Sequence, residues 1–175
     1  MIKVLGFVGG FLMLAAAASA QEGEVVKVVS GMGDLGFSLT LAAVGSALGT
    51  GVAGMAAVGA WKRAFSQNRA APLILVAFVG APLSQTIYGM ILRNAIQASV
   101  TPSTMAEYTP LMILGLLAGL AMGMSAFLQG KAGAKAADAL AETGQGFGNY
   151  IMVLGVIETV ALFVMVFTMT ALPTP

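Results

Sequence analysis

Residues 148–172 read GNYIMVLGVIETVALFVMVFTMTAL, an apolar stretch with one charged residue, Glu158. As a helix, a stretch of this length crosses the hydrocarbon layer of a membrane, about 30 Å thick, which takes about 20 residues. A carboxylate near the middle of such a span costs about 2.5–3.5 kcal/mol on insertion scales, so Glu158 is a functional candidate by default. The alternatives are a protonated structural glutamate and a contact that only pairs helices.

Three more apolar stretches precede this one, at 35–62, 72–97 and 109–135. Of the 175 residues, 58% are hydrophobic and 9% are charged, and the mean hydropathy is +0.93. Such a composition indicates that a lipid bilayer surrounds much of the chain. Helices satisfy their own backbone hydrogen bonds in lipid. The sequence therefore predicts an all-α membrane protein with four transmembrane helices.

Charge and residue usage exclude several classes of function. The net charge of +1 gives no broad basic surface for nucleic acid. The chain has no Cys and no His, which removes disulfides, thiol catalysis, imidazole bases and the usual zinc sites. One buried carboxylate offers no acid/base pair for a membrane enzyme. We expect a subunit that is not catalytic by itself.

The N-terminus resembles a secretory signal. Lys3 precedes an apolar run to Ala17, and the small residues Ala18-Ser19-Ala20 precede Gln21. This pattern predicts that residues 1–20 are a cleaved signal peptide, followed by a short extracytoplasmic segment at 21–34. An uncleaved first membrane helix is the alternative.

Basic residues predict the orientation. Lys62, Arg63 and Arg69 lie in the connection after the first span, and Lys131 and Lys135 flank the connection after the third. Since cytoplasmic connections carry the excess of Lys and Arg, these two face the cytoplasm. Both mature termini then lie on the extracytoplasmic side of the cell (inner) membrane, and a cleaved signal would also place the N-terminus there.

Glycine divides the spans into two kinds. The first and third spans are rich in glycine, and the second and fourth are bulkier. The order small, bulky, small, bulky predicts a helical hairpin repeated twice, at 35–98 and 108–172. Small residues four positions apart let helix backbones approach closely, so we expect an inner layer of small helices; a plain four-helix bundle is the alternative. The glycines concerned are Gly45, Gly49, Gly115, Gly119 and Gly123.

Polar side chains also interrupt the second span, in APLSQTIYG. Ser84, Gln85 and Tyr88 fall on roughly one helix face. Pro82 removes an amide donor and disturbs the preceding turn, so that carbonyls there can face a ligand. By the internal repeat, Gln85 takes the place that Glu158 holds in the second hairpin, and both are followed by Thr. The two hairpins therefore share one carboxylate.

Counting along the chain predicts the depth of these residues. The midpoint between Gln129 and Glu158 falls at 143–144, inside the turn-like AETGQGFG. The two side chains can then face each other across the second hairpin. The same count around FSQNR places Gln85 level with residues 48–50.

This layer is rich in oxygen. It offers the Glu158 carboxylate, the Gln85 and Gln129 amides and the Ser84 hydroxyl, and Tyr88 can donate a hydrogen bond to the carboxylate. Hard cations prefer oxygen ligands, and one negative charge among neutral oxygens suits a monovalent ion. Burial without an ion favours the protonated carboxyl, so a proton competes for the same site.

At these residues the sequence resembles the double-hairpin proteolipid, subunit K (equivalent to c), of V/A-type rotary ATPases. The resemblance spans about residues 35–172 and rests on PLSQTIYG, QGKAGAKAADAL, IETVAL and the glycine-rich first span. It implies a ring of identical subunits in membrane lipid, in which Glu158 carries an ion past subunit a. The hairpin loops would bind the central stalk, and a separate soluble head would hydrolyse or make ATP.

The resemblance also implies a ligand set. In the sodium-carrying branch, Na⁺ is held by residues that match Ser84, Gln85, Gln129 and Glu158 and by the backbone carbonyl of Ala81, while Tyr88 hydrogen-bonds the carboxylate. Ser84 stands where that branch usually has Thr, and Ala81 replaces a larger apolar residue. Two Gln oxygens and a hydroxyl are more than a proton needs, so sodium is the expected cargo and H⁺ the alternative. A passive four-helix channel or structural membrane protein is the rival outside this family.

Overall fold

The computed structural model describes residues 33–100 and 108–173, and within these ranges the chain is helical without strands. Its four spans are Phe37–Ser66, Leu73–Ser99, Tyr108–Thr143 and Phe147–Thr170. Each is long and apolar enough to cross a membrane. The predicted all-α class with four spans is thus confirmed for the described part. The predicted signal peptide at 1–20 lies outside it.

Two of the spans continue as helix beyond their apolar stretches. The first ends at Ser66 rather than near 62, and the third ends at Thr143 rather than near 135. Most of the segment expected to connect the third and fourth spans is therefore helix, in keeping with its many Ala residues. The turn itself is only residues 144–146, with Gly144 at φ +68° and Gly146 at φ +86°, a conformation that favours glycine.

The second span is not one regular helix. Leu73–Leu75 and Ala81–Leu83 are 3₁₀ segments, Val76–Gly80 is a short α-helix, and Ser84–Ser99 completes the span. Pro82 lies in the second 3₁₀ segment, where its missing amide proton prevents a regular α-helical bond. The irregular backbone therefore lies directly before Ser84 and Gln85.

Glycines bring the first and third spans into backbone contact. A Cβ at Gly45 would overlap the backbone of Gly123, and one at Gly49 would overlap the carbonyl oxygen of Ala126. A Cβ at Gly119 would lie 2.6 Å from the carbonyl oxygen of Phe37. These approaches need residues without side chains, as in other close-packed membrane helices.

Asp34, which the sequence analysis did not single out, caps the first span. Its fully buried carboxylate accepts hydrogen bonds from the backbone N–H groups of Gly36 (3.0 Å) and Ser38 (2.8 Å). A carboxylate satisfies the free amides of a helix start and favours its positive dipole end. Gly115 leaves room for it, because a Cβ there would overlap the Asp34 side chain.

Two apolar clusters fill the interior at different depths. The cluster at the hairpin-turn end, near 67–72 and 144–146, is closed by an Arg63–Asp138 ion pair and by the Trp61 indole N–H, which donates to the Pro72 carbonyl at 3.0 Å. Its buried members are Ala57, Ala60, Leu75, Phe78, Ala136, Ala137, Leu140 and Leu154. The cluster at the opposite end comprises Ala42, Leu92, Ile96, Leu111, Ala118, Met122, Ala161 and Met165. A layer of polar side chains separates the two along the spans.

The backbone contact at Gly49 generates a prediction. Gly49→Ala should lower the free energy of unfolding by about 1–3 kcal/mol, the usual cost of overpacking. The matched control is Gly59→Ala on the same helix, where a Cβ meets nothing within 4 Å. Denaturant unfolding of the detergent-solubilised protein measures both. Equal stability of the two variants would contradict this packing.

Candidate functional site

The first half of the polar layer lies at the irregular part of the second span. The Ser84 hydroxyl oxygen is 3.1 Å from the Ala81 carbonyl oxygen and 3.2 Å from Gln85 Oε1. A hydroxyl carries one proton, so Ser84 donates to one of these two oxygens at a time. Three oxygens from this one segment of the second span thus lie together.

Gln85 connects the second span to the third. Gln85 and Gln129 are both fully buried, and Gln85 Nε2 donates to Gln129 Oε1 at 2.8 Å. Gln129 Nε2 in turn donates to the Leu154 carbonyl at 3.0 Å and to Glu158 Oε2 at 3.3 Å, which reaches the fourth span. The two amides act as donor and acceptor, and so carry the network across three helices.

The Glu158 carboxylate is half-buried and has a partner on each oxygen. The Tyr88 hydroxyl donates to Oε1 at 2.7 Å, and Gln129 Nε2 contacts Oε2. The Tyr88 contact has the ordinary length of an O–H···O hydrogen bond. Spans two and three therefore both bind the single carboxylate of the fourth.

Two contributions to this layer were missed in the sequence analysis. The Ser125 hydroxyl donates to the Ile157 carbonyl at 2.8 Å, directly before Glu158, and the Leu154 carbonyl accepts from Gln129. Ser125 lies one helical turn before Gln129, so the i, i+4 spacing of two polar residues in an apolar span was an available signal. Both contacts hold the backbone of the fourth span against the third span, next to the Glu158 carboxylate.

The candidate site residues fall into two groups. Ala81, Ser84, Gln85, Tyr88, Gln129 and Glu158 form one connected set. Gly45, Gly49, Gly119 and Gly123 lie instead in the contact between the first and third spans, and Gly115 lies against Asp34, which caps the first span. Within 33–100 and 108–173 no three Asp, Glu, His or Cys side chains cluster as metal ligands do. The connected set thus offers neutral oxygens around one carboxylate.

The third and fourth spans match a known family. Residues 112–171 match the family model that describes the C subunit of ATP synthase. The match covers about one third of the chain and includes Gln129 and Glu158. This part of the chain is therefore similar to the C subunits of ATP synthases. Comparison with curated proteins found no match.

The Tyr88–Glu158 contact can be measured directly. A double-mutant cycle with Tyr88→Phe and Glu158→Ala should give a coupling energy of about 1.5–3 kcal/mol if the carboxylate is charged, and about 0.5–1.5 kcal/mol if it is neutral. Unfolding of the four proteins in detergent supplies the numbers. Tyr150→Phe is the control, since Tyr150 packs on the ring of Phe78 instead. Strict additivity would contradict the contact.

Proposed function

We propose that the chain is the rotor-ring proteolipid of a V-type ATPase or ATP synthase and that Glu158 carries Na⁺ across the membrane. The observation that carries the proposal is the unbroken hydrogen-bonded layer from Ser84 through Gln85 and Gln129 to Glu158. It brings one carboxylate and several neutral oxygens together from three apolar spans. The family match over 112–171 supports the same reading.

Sodium fits the chemistry of this layer. Na⁺ would take oxygens from the Ala81 carbonyl, Ser84, Gln85, Gln129 and Glu158, while Tyr88 keeps its bond to the carboxylate. A proton needs only the carboxylate and one acceptor. Two buried amides and a hydroxyl supply more oxygen ligands than that, and hard monovalent cations are bound by such oxygens. A proton carrier is the second candidate, because protonation of the half-buried Glu158 carboxylate would by itself neutralise the layer.

The surface of the fourth span supports assembly into a ring. Large apolar side chains there are exposed, among them Met152, Val156, Phe163 and Phe167. Lipid or further copies of the chain can cover such a surface. In the proposed complex, copies of the chain form a homo-oligomeric ring against subunit a. The two hairpin turns, with Arg63 and Lys135 near them, would face the cytoplasm and the central stalk.

Replacing the carboxylate tests the rotor. Glu158→Gln keeps hydrogen-bonding capacity but removes the charge, so we expect ion transport by the reconstituted complex to be lost while the ring still assembles. Glu142→Gln, the same change at an exposed residue of the hairpin-turn end, should transport normally. Wild-type transport by Glu158→Gln would instead support a passive structural role.

Chemical labelling tests the ion. Carbodiimides attack the protonated carboxyl, so Glu158 in the purified ring should be labelled, and millimolar sodium at fixed pH should protect it. Glu158→Gln supplies the unlabelled control. Labelling that follows pH and ignores sodium would make the proton the cargo. The Gln85 and Gln129 amides would then be hydrogen-bond partners only.

A further inference from the structure

Three buried hydroxyls of the first span have no hydrogen-bond partner within the described residues. They belong to Ser38, Ser46 and Thr50. Ser38 and Ser46 are 0% and 2% exposed, and the Thr50 hydroxyl oxygen is also buried. An unsatisfied buried hydroxyl costs about 1–3 kcal/mol, so each such group in a folded protein needs a partner to explain it.

Two of these hydroxyls lie at the depth of the ion site. A Cβ at Gly49, between Ser46 and Thr50, would lie 3.0 Å from Pro82 Cβ, and a Cβ at Gly89 would lie 2.8 Å from Ala42 Cβ. The first and second spans run antiparallel, so the stretch between Ala42 and Gly49 faces the stretch between Pro82 and Gly89. Ser46 is therefore level with Gln85, and Thr50 follows one turn later on the same face.

Ser38 lies elsewhere. Its backbone atoms contact the positions of Gly89 and Gly119, with a Cβ at Gly89 lying 2.6 Å from the Ser38 carbonyl oxygen. That depth is about two helical turns from Ser46, beside the apolar cluster that contains Ala42. Ser38 is thus a buried serine like Ser46, but it lies away from the ion site.

Gln85 has a hydrogen-bond donor to spare. Its amide nitrogen carries two N–H groups, and one of them donates to Gln129 Oε1. In the described part of the chain the other has no acceptor, although the side chain is fully buried. Ser46, Thr50 and this N–H supply three polar groups, the number that a buried water usually bonds. Since the hydroxyls make no direct bond to Gln85, water is the link that fits.

We propose that Ser46 and Thr50 form a buried water-binding subsite behind Gln85, and that the water holds the Gln85 amide in its orientation. With Nε2 tied to the water and to Gln129, Gln85 Oε1 stays directed at Ser84 and at the cation. Ser46 and Thr50 are then positioning residues for sodium binding, and this role rests on the proposed function. The first span, which supplies none of the proposed ligands, would thereby set the affinity of the site.

Sodium protection of Glu158 from carbodiimide measures the effect. The double variant Ser46→Ala/Thr50→Val should raise the sodium concentration for half-protection about three- to tenfold, the loss of about one net hydrogen bond. Ser38→Ala should leave the sodium concentration for half-protection unchanged. Ser46→Thr keeps the hydroxyl and should also keep the wild-type value. A more stable double variant with the wild-type midpoint would show that the hydroxyls hold no water and would overturn the proposal.

A density map of the wild-type ring tests the water without any variant. In a map that resolves other ordered waters, a peak within hydrogen-bond distance of Ser46, Thr50 and Gln85 Nε2 is expected, and dry density there would overturn the proposal. The map is independent of the cargo. If sodium fails to protect wild-type Glu158, the proposed sodium function is wrong. The presence or absence of the water peak still shows whether the water-binding subsite exists.

Discussion

A carboxylate inside an apolar helix has to be neutralised or hydrogen-bonded, because an uncompensated charge is costly to bury. Glu158 meets this requirement through side chains of two other spans, Tyr88 and Gln129. Those donors are useful only if their helices are held at fixed depth and rotation. The close backbone packing at Gly45 and Gly49 provides that, since it fixes the third span, which carries Gln129, against the first.

The layer around Glu158 lies between two apolar clusters, and this arrangement strengthens it. The clusters exclude bulk water from both sides of the layer, so each hydrogen bond acts in a medium of low dielectric constant. The same medium makes any unpaired polar group expensive. The network therefore has to be nearly complete, which is consistent with amides such as Gln85 and Gln129, each able both to donate and to accept.

Counting along the sequence worked for one hairpin and less well for the other. Gln129 and Glu158 meet as predicted from a midpoint at 143–144, because two regular helices there are joined by a turn of three residues. In the first hairpin the count placed residues 48–50 level with Gln85, whereas Gly49 lies against Pro82. The 3₁₀ segments of the second span rise about 2.0 Å per residue instead of about 1.5 Å, so equal residue counts no longer give equal depths.

Other features lay beyond the sequence pattern for a different reason. The first span is apolar and glycine-rich around its whole circumference, so nothing in its periodicity indicates which way Ser46 and Thr50 face. Their burial becomes apparent only from the contacts at Gly49. Asp34 is different, because an Asp shortly before an apolar run is a recognisable cap.

The difference between Gln85 and Glu158 follows from the geometry between the hairpins. Gln85 Nε2 donates to Gln129 Oε1, and Gln129 Nε2 donates to Glu158. A glutamate at position 85 would place a carboxylate oxygen, which cannot donate, against Gln129 Oε1. It would also add a second negative charge to the same layer. A neutral amide of the same length keeps the chain of hydrogen bonds and adds no charge. Two similar hairpins can therefore share one carboxylate, and a single monovalent cation or proton suffices to neutralise the whole layer.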